Sequence, residues 1–220
     1  MYRDQHGIIL QEGNGEDYVD GGDAAFSTGM MAFAGSTQDA ALMTMFLTNG
    51  KVIRYPFHPE YSKPEETSRD QILAFFAGLN HPYFNDHPEE KKAIQESCLF
   101  YAQSWRVNND VLSFNHKFYF YKLSGHRAPL WIYPIAYFNQ ALNVLWDAFI
   151  KPGHEMNQSS VMNCIYGIRW IKALNALHPG LVQNIMHYYT DGRNKQEMGI
   201  RISTRILAAT TGDKFWYTIF

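Results

Sequence analysis

Ser68-Arg69-Asp70-Gln71-Ile72-Leu73-Ala74-Phe75-Phe76-Ala77-Gly78-Leu79 is the stretch that decides the fold class. Its first four residues match the S-x-x-Q capping box. There the serine hydroxyl receives a backbone N–H three residues on, and the glutamine side chain returns to the serine N–H. Behind the box, Ile72, Phe75, Phe76 and Leu79 recur at helical spacing, so an apolar helix face begins here.

Working upstream, residues 51–67 carry Pro56, Pro59 and Pro64 and read as a long loop, a length that is often functional inside a compact domain. Before it, Leu42, Met45 and Phe46 predict a helix near 38–48, with Asn49-Gly50 as its C-terminal stop. Phe26, Gly29, Met30 and Phe33 predict another over 22–34, broken by Gly35-Ser36-Thr37. Residues 1–21 are polar and glycine-rich apart from Ile8-Ile9-Leu10, and the run from Glu12 to Asp17 reads as a loop.

Downstream, the segment from Asn80 to His87 has the proline and Asn/Asp content of a turn. A helix over 88–105 follows, with Pro88 and Glu89-Glu90 suited to its start and Ile94, Cys98, Tyr101 and Trp105 along one stripe. Residues 107–126 are ambiguous. Phe118-Tyr119-Phe120-Tyr121 is strand-like, but the helical neighbours favour a helix from Val111 to Leu123. Further helices are expected over 135–150, 158–177, 180–190 and 195–209. The sum is seven to nine helices with no convincing sheet and, at most, short strands. The expectation is an all-α, multi-helix single domain over residues 1–220, built from antiparallel helix pairs.

Composition agrees with a folded domain. Apolar residues make up 46% of the chain and charged residues 18%, below the ~25% usual for soluble domains. The formal charge of −2 and the absence of a basic run leave no footprint for tracking a nucleic-acid polymer. No run of ~18 apolar residues predicts a membrane span, and Met1 to His6 lack the apolar core of a signal peptide. A cytoplasmic location is expected, or export by an unmarked route such as assembly into a virus particle. Cys98 and Cys164 each fall on an apolar stripe, which favours buried free thiols over a disulfide.

Four segments are candidates for chemistry. Asp20-Gly21-Gly22-Asp23 runs into a helix; its carboxylates are either dipole-matched caps or an acid–base or cation-holding pair. Arg69 places a cation in a first helical turn, against the dipole, and so calls for an anionic partner. Adjacent helical residues point apart, which favours Asp20 or Asp23 over Asp70 as that partner. The pair is either structural or ligand-facing. In the loop before it, Arg54 and His58 are candidates to hold an anionic group, with Tyr55 or Phe57 stacking; a surface role for His58 is the alternative. Asn108-Asn109-Asp110, followed by Asn115-His116, reads either as an Asn/Asp turn or as a ligand-binding segment carried by Asp110 and His116, the histidine standing between a polar cluster and an aromatic run. His81, Asp86 and His87 lack a helical metal-ligand spacing. P-loop, GxGxxG, G-x-S-x-G and HExxH patterns are missing, so no metal or cofactor is expected.

Gly21-Gly22-Asp23-Ala24 continuing to Thr28-Gly29, the loop with Arg54 and Pro56, Ser68-Arg69-Asp70-Gln71, and the part from Trp105 to Gly125 with Asn109-Asp110 together resemble an uncharacterised helical family found in phages and bacteria. The likeness covers about the first 125 residues. That family's pattern is G-G-D-[S/A]-x-x-R-T-G, and Ser27 stands here where the arginine would be. The paired helices with acidic starts are also similar to the α/α-toroid scaffold of many carbohydrate-active enzymes, of which this shorter chain would be an incomplete form. The functional expectation is a carbohydrate-like ligand bound at a polar loop cluster, with glycan hydrolysis as its catalytic form. Asp23 and Asp70 would be the acid–base pair, with Arg69 and His58 positioning the substrate. The alternatives are a phage-encoded, non-catalytic protein that captures a small nucleotide signal or a host protein, and a virion structural component.

Overall fold

A computed structural model describes residues 2–12 and 19–145. The chain divides into two compact units, residues 1–132 and 133–220. Among the described residues the protein is predominantly helical, with seven α-helices and three small antiparallel sheets. The helices expected over 158–177, 180–190 and 195–209, and Cys164, lie outside the described residues.

The chain opens with β1 (Tyr2–Arg3), β2 (Ile9–Glu12) and β3 (Val19–Asp20), a meander in which Arg3 faces Ile9 and Gln11 faces Asp20. Helix α1 (Ala24–Phe33) follows, ending near the expected break at Gly35. Helix α2 is short, Thr37–Leu42, and passes through a 3₁₀ turn into β4 (Leu47–Thr48). The helix predicted over 38–48 is therefore interrupted. Asn49 and Gly50 take φ values of 51° and 72° and turn β4 into β5 (Lys51–Val52). Asn-Gly is a strong two-residue hairpin signal because both residues tolerate left-handed backbone, and that role overrides the helix stop read from the sequence.

Helix α3 (Arg69–Ala77) begins at Ser68 with its capping box formed. Every residue from Gln71 to Leu79 is buried, so this is the central helix rather than an amphipathic one. Gly29 of α1 lies against it: a Cβ there would collide with the Ala74 carbonyl and the Phe75 backbone. The missing side chain thus sets how closely α1 and α3 approach.

The turn expected over residues 80–87 contains a one-turn helix, α4 (Tyr83–Asp86). Helix α5 (Pro88–Gln103) ends before Trp105, which is 56% exposed rather than on the buried stripe. The ambiguous segment resolves into a hairpin, β6 (Arg106–Val107) and β7 (Asp110–Val111), followed by α6 (Phe114–Leu123). The aromatic run is helical. Phe76 of α3 meets Tyr101 of α5 at 5.8 Å and Phe120 of α6 at 5.3 Å between ring centroids, and joins the three helices in one core. Cys98 is buried in α5 as a free thiol, donating to the Phe120 carbonyl at 3.3 Å. In the second unit the described residues belong to α7 (Ile132–Leu145). No helix among the described residues is long and apolar enough to cross a membrane.

Candidate functional site

The starts of α1 and α3 and the β6–β7 hairpin form one polar cluster. Asp23 occupies the N-cap position of α1 but makes no side-chain cap. Its Oδ1 instead accepts from Gln71 Nε2 at 3.2 Å, and the same Nε2 donates to the Gly22 carbonyl. Gln71 Oε1 receives the Ser68 N–H at 3.3 Å. One amide thus closes the capping box of α3 and ties that helix to the start of α1.

The hairpin secures the same helix start from the other side. Asn108 adopts φ 50°, and its Nδ2 donates to the Pro64 carbonyl at 3.1 Å and the Thr67 carbonyl at 2.5 Å. Asp110 Oδ2 accepts the Arg69 backbone N–H at 3.0 Å, so it acts as a cap supplied from a remote segment. Beyond its role in a local turn, Asp110 brings a carboxylate to the cluster.

Arg69 Nε donates to Asp70 Oδ1 at 3.3 Å, and both side chains are about 30% exposed (30% and 28%). Arg69 thus pairs with Asp70 despite the divergence of adjacent helical positions, and the Asp20 side chain lies outside the described residues. Burial pushes the Asp70 carboxyl above the ordinary carboxylate range. The Arg69 charge opposes that rise, while Asp110 and Asp23 add to it, so both carboxylates lie within electrostatic reach of Asp70.

His116 stands in the first turn of α6, on the segment that leads out of the hairpin carrying Asp110. Its Nδ1 accepts the Ser113 N–H at 3.1 Å, so the neutral ring carries its proton on Nε2. Burial, with a smaller push from Arg69, lowers its pKa to about 3. Nε2 of His116 and both side-chain polar atoms of Asn115 are buried without a protein partner.

The remaining candidates sit differently. Arg54 borders the cluster: its carbonyl accepts the Ala25 N–H at 3.0 Å, and its Nε donates to the Glu66 carbonyl. Asp20 stands on β3, just ahead of Asp23, with its backbone in register with Gln11. His58 is exposed; Nδ1 accepts from the Glu60 N–H at 3.3 Å and the ring packs on Tyr61, contacts within its own loop. The structure therefore brings together Asp23, Arg69, Asp70, Asp110 and His116 and leaves the His58 ring engaged in its loop.

Gln71 joins the site without having stood out as a site residue in the sequence. Its sequence signal is only that of a capping residue. Among the described residues, no three His, Cys, Asp or Glu side chains are grouped to hold a metal ion. No family model, curated protein or solved structure matches the chain. The cluster gathers a part-exposed carboxyl raised by burial, the Asp23 and Asp110 side chains, a guanidinium and a neutral imidazole, groups of the kind that can exchange protons and hydrogen-bond a polar ligand.

Proposed function

We propose that this cluster binds a glycan and hydrolyses a glycosidic bond. The observation that carries the reading is Asp70, a part-exposed carboxyl raised by burial and by two other carboxylates. A glycosidase needs one carboxylic acid that keeps its proton and a second carboxylate that stays ionised. In this reading Asp70 protonates the glycosidic oxygen as the bond from that oxygen to the anomeric carbon breaks. Asp23 accepts a proton from the water whose oxygen bonds to that carbon. Arg69 orients Asp70, and Asp110 keeps the helix start in place by capping it.

Capture of a phosphate-bearing nucleotide is the less favoured reading. The Nε groups of Arg54 and Arg69 are directed at the Glu66 carbonyl and Asp70, and three carboxylates surround the second guanidinium's segment. An anion would meet repulsion there.

The test is turnover of a panel of oligosaccharides by the full chain and by Asp70→Asn and Asp23→Asn. Both variants are expected to keep the wild-type circular dichroism and to lose activity by about a hundredfold or more. Full activity in either variant rejects the role assigned to that residue, and inactivity of the wild type on every glycan rejects the reading.

A further inference from the structure

Trp105, Val111, Leu130 and Trp131 are each at least half exposed, and Leu130 is 88% exposed. Phe114 links the two indoles: its ring centroid lies 5.7 Å from each, with the rings close to perpendicular in both pairs. Val111 of β7 pairs across the hairpin with Arg106, the residue after Trp105, and Leu130 directly precedes Trp131. Single exposed apolar residues are ordinary, whereas a joined strip marks an interaction surface. The turn that presents Leu130 is held in place: Ala128 is buried, and the Ile132 N–H donates to the Pro129 carbonyl at 2.9 Å. Cations border the strip. Arg106 and Arg127 are exposed, and Lys117 Nζ lies 4.3 Å from the centroid of the Trp105 ring. No Asp or Glu occurs between Asp110 and Asp147, and the Asp110 carboxylate is turned to the Arg69 N–H. The positive character is therefore local, in a chain whose formal charge is −2.

We infer that this strip docks on an anionic lipid bilayer, with Leu130 and Trp131 entering the headgroup layer and Arg106 and Arg127 meeting the lipid phosphates and carboxylates. Its role does not depend on the glycan reading above. Tryptophan suits the boundary between headgroups and acyl chains, because its ring is apolar and its N–H is polar. A nearly bare leucine held on a fixed turn gains most from the same layer, where its side chain leaves water. Exposed arginines beside it are drawn to the negative surface potential of acidic lipids. Charge complementarity separates this occupant from a second copy of the chain. A twofold interface presents the same patch from both sides and would set these cations against one another. The contact is peripheral, resting on a few side chains and local charge.

The test is co-sedimentation of the full chain with vesicles of phosphatidylcholine alone and of phosphatidylcholine with ~30% phosphatidylserine, at low and high salt. The wild type is expected to partition onto the mixed vesicles, to bind the neutral ones far less, and to be released as salt rises. Leu130→Ser is expected to weaken partitioning by about tenfold, since one buried leucine is lost from the membrane contact. Its side chain is almost wholly in solvent, so the fold is untouched, which an unchanged melting temperature checks. Arg127→Gln is expected to cost about fivefold on the mixed vesicles and nothing on the neutral ones. Absence of sedimentation with either vesicle overturns the inference, as does equal binding to both. Partitioning that Leu130→Ser leaves unchanged overturns it too, by placing the contact elsewhere. A wild type that sediments as a dimer without lipid, with Leu130→Ser monomeric, overturns it in favour of a second copy of the chain.

Discussion

At Asp70 the competing influences can be separated by pH. Its folded-state pKa lies above the unfolded value, so the unfolded chain gives up this proton first as pH rises. The contribution to stability is present below the unfolded pKa and is lost as pH climbs through the folded one. Asp70→Asn removes that dependence. The variant is expected to melt close to wild type near pH 3 and above it at pH 7, with scanning calorimetry across that interval as the measurement. Gly29 gives a second residue-scale prediction. Gly29→Ala forces a methyl into the Ala74–Phe75 backbone of α3, a neighbour that cannot swing aside. A loss of about 2–3 kcal/mol is expected, read by urea unfolding. A neutral result would mean that the two helices are not in backbone contact.

Among the elements, α6 shows how a cap and a titrating group can be the same residue. Ser113 and His116 form a reciprocal capping box, with histidine in the place that Gln71 holds in α3. His116 is held near pKa 3, well below its ordinary value, by burial and by Arg69. Its stabilising contribution is thus complete above the unfolded pKa of about 6.5 and is lost as pH falls toward 3. His116→Gln keeps an acceptor for the Ser113 N–H and removes the titration. The variant is expected to show a flatter stability profile between pH 6.5 and pH 3 than wild type, and an unchanged slope would exclude His116 as its source. The two boxes also mark how legible the elements are. Ser68-x-x-Gln71 announces its helix through short-range chemistry alone. Ser113-x-x-His116 does not, because histidine is an uncommon closing residue and the aromatic run after it has strand propensity. The hairpin at Asn49-Gly50 is hidden for a similar reason, since one dipeptide serves both as a helix stop and as a tight turn.

Across the first compact unit, long-range polar ties hold segments that share no local pattern. Arg3 of β1 reaches Asp39 of α2 with both guanidinium ends, at 3.0 Å and 2.8 Å, and Asp39 is fully buried. Asp4 accepts the Tyr55 hydroxyl at 2.6 Å, joining the N-terminal segment to the loop beside the site. Arg3→Ala leaves a buried carboxylate without its cation, and a cost of about 3 kcal/mol is expected. Arg3→Ala paired with Asp39→Ala should recover part of it, and a double variant no more stable than Arg3→Ala would argue against the pairing. The tie is invisible in the sequence because 36 residues separate its partners.

Local sequence determined the helical class, the start of α3, the burial of its apolar face and most of the carboxylates that matter, because capping and periodicity act within a few residues. Only the tertiary structure decided that Asp23, Asp70 and Asp110 share one cluster, that Asp110 caps a helix 41 positions away along the chain, and that Arg69 turns to Asp70. Those outcomes depend on how α1, α3 and the β6–β7 hairpin pack against one another. The hydrogen bonds that fix that packing join residues whose neighbours in sequence carry no trace of the partner.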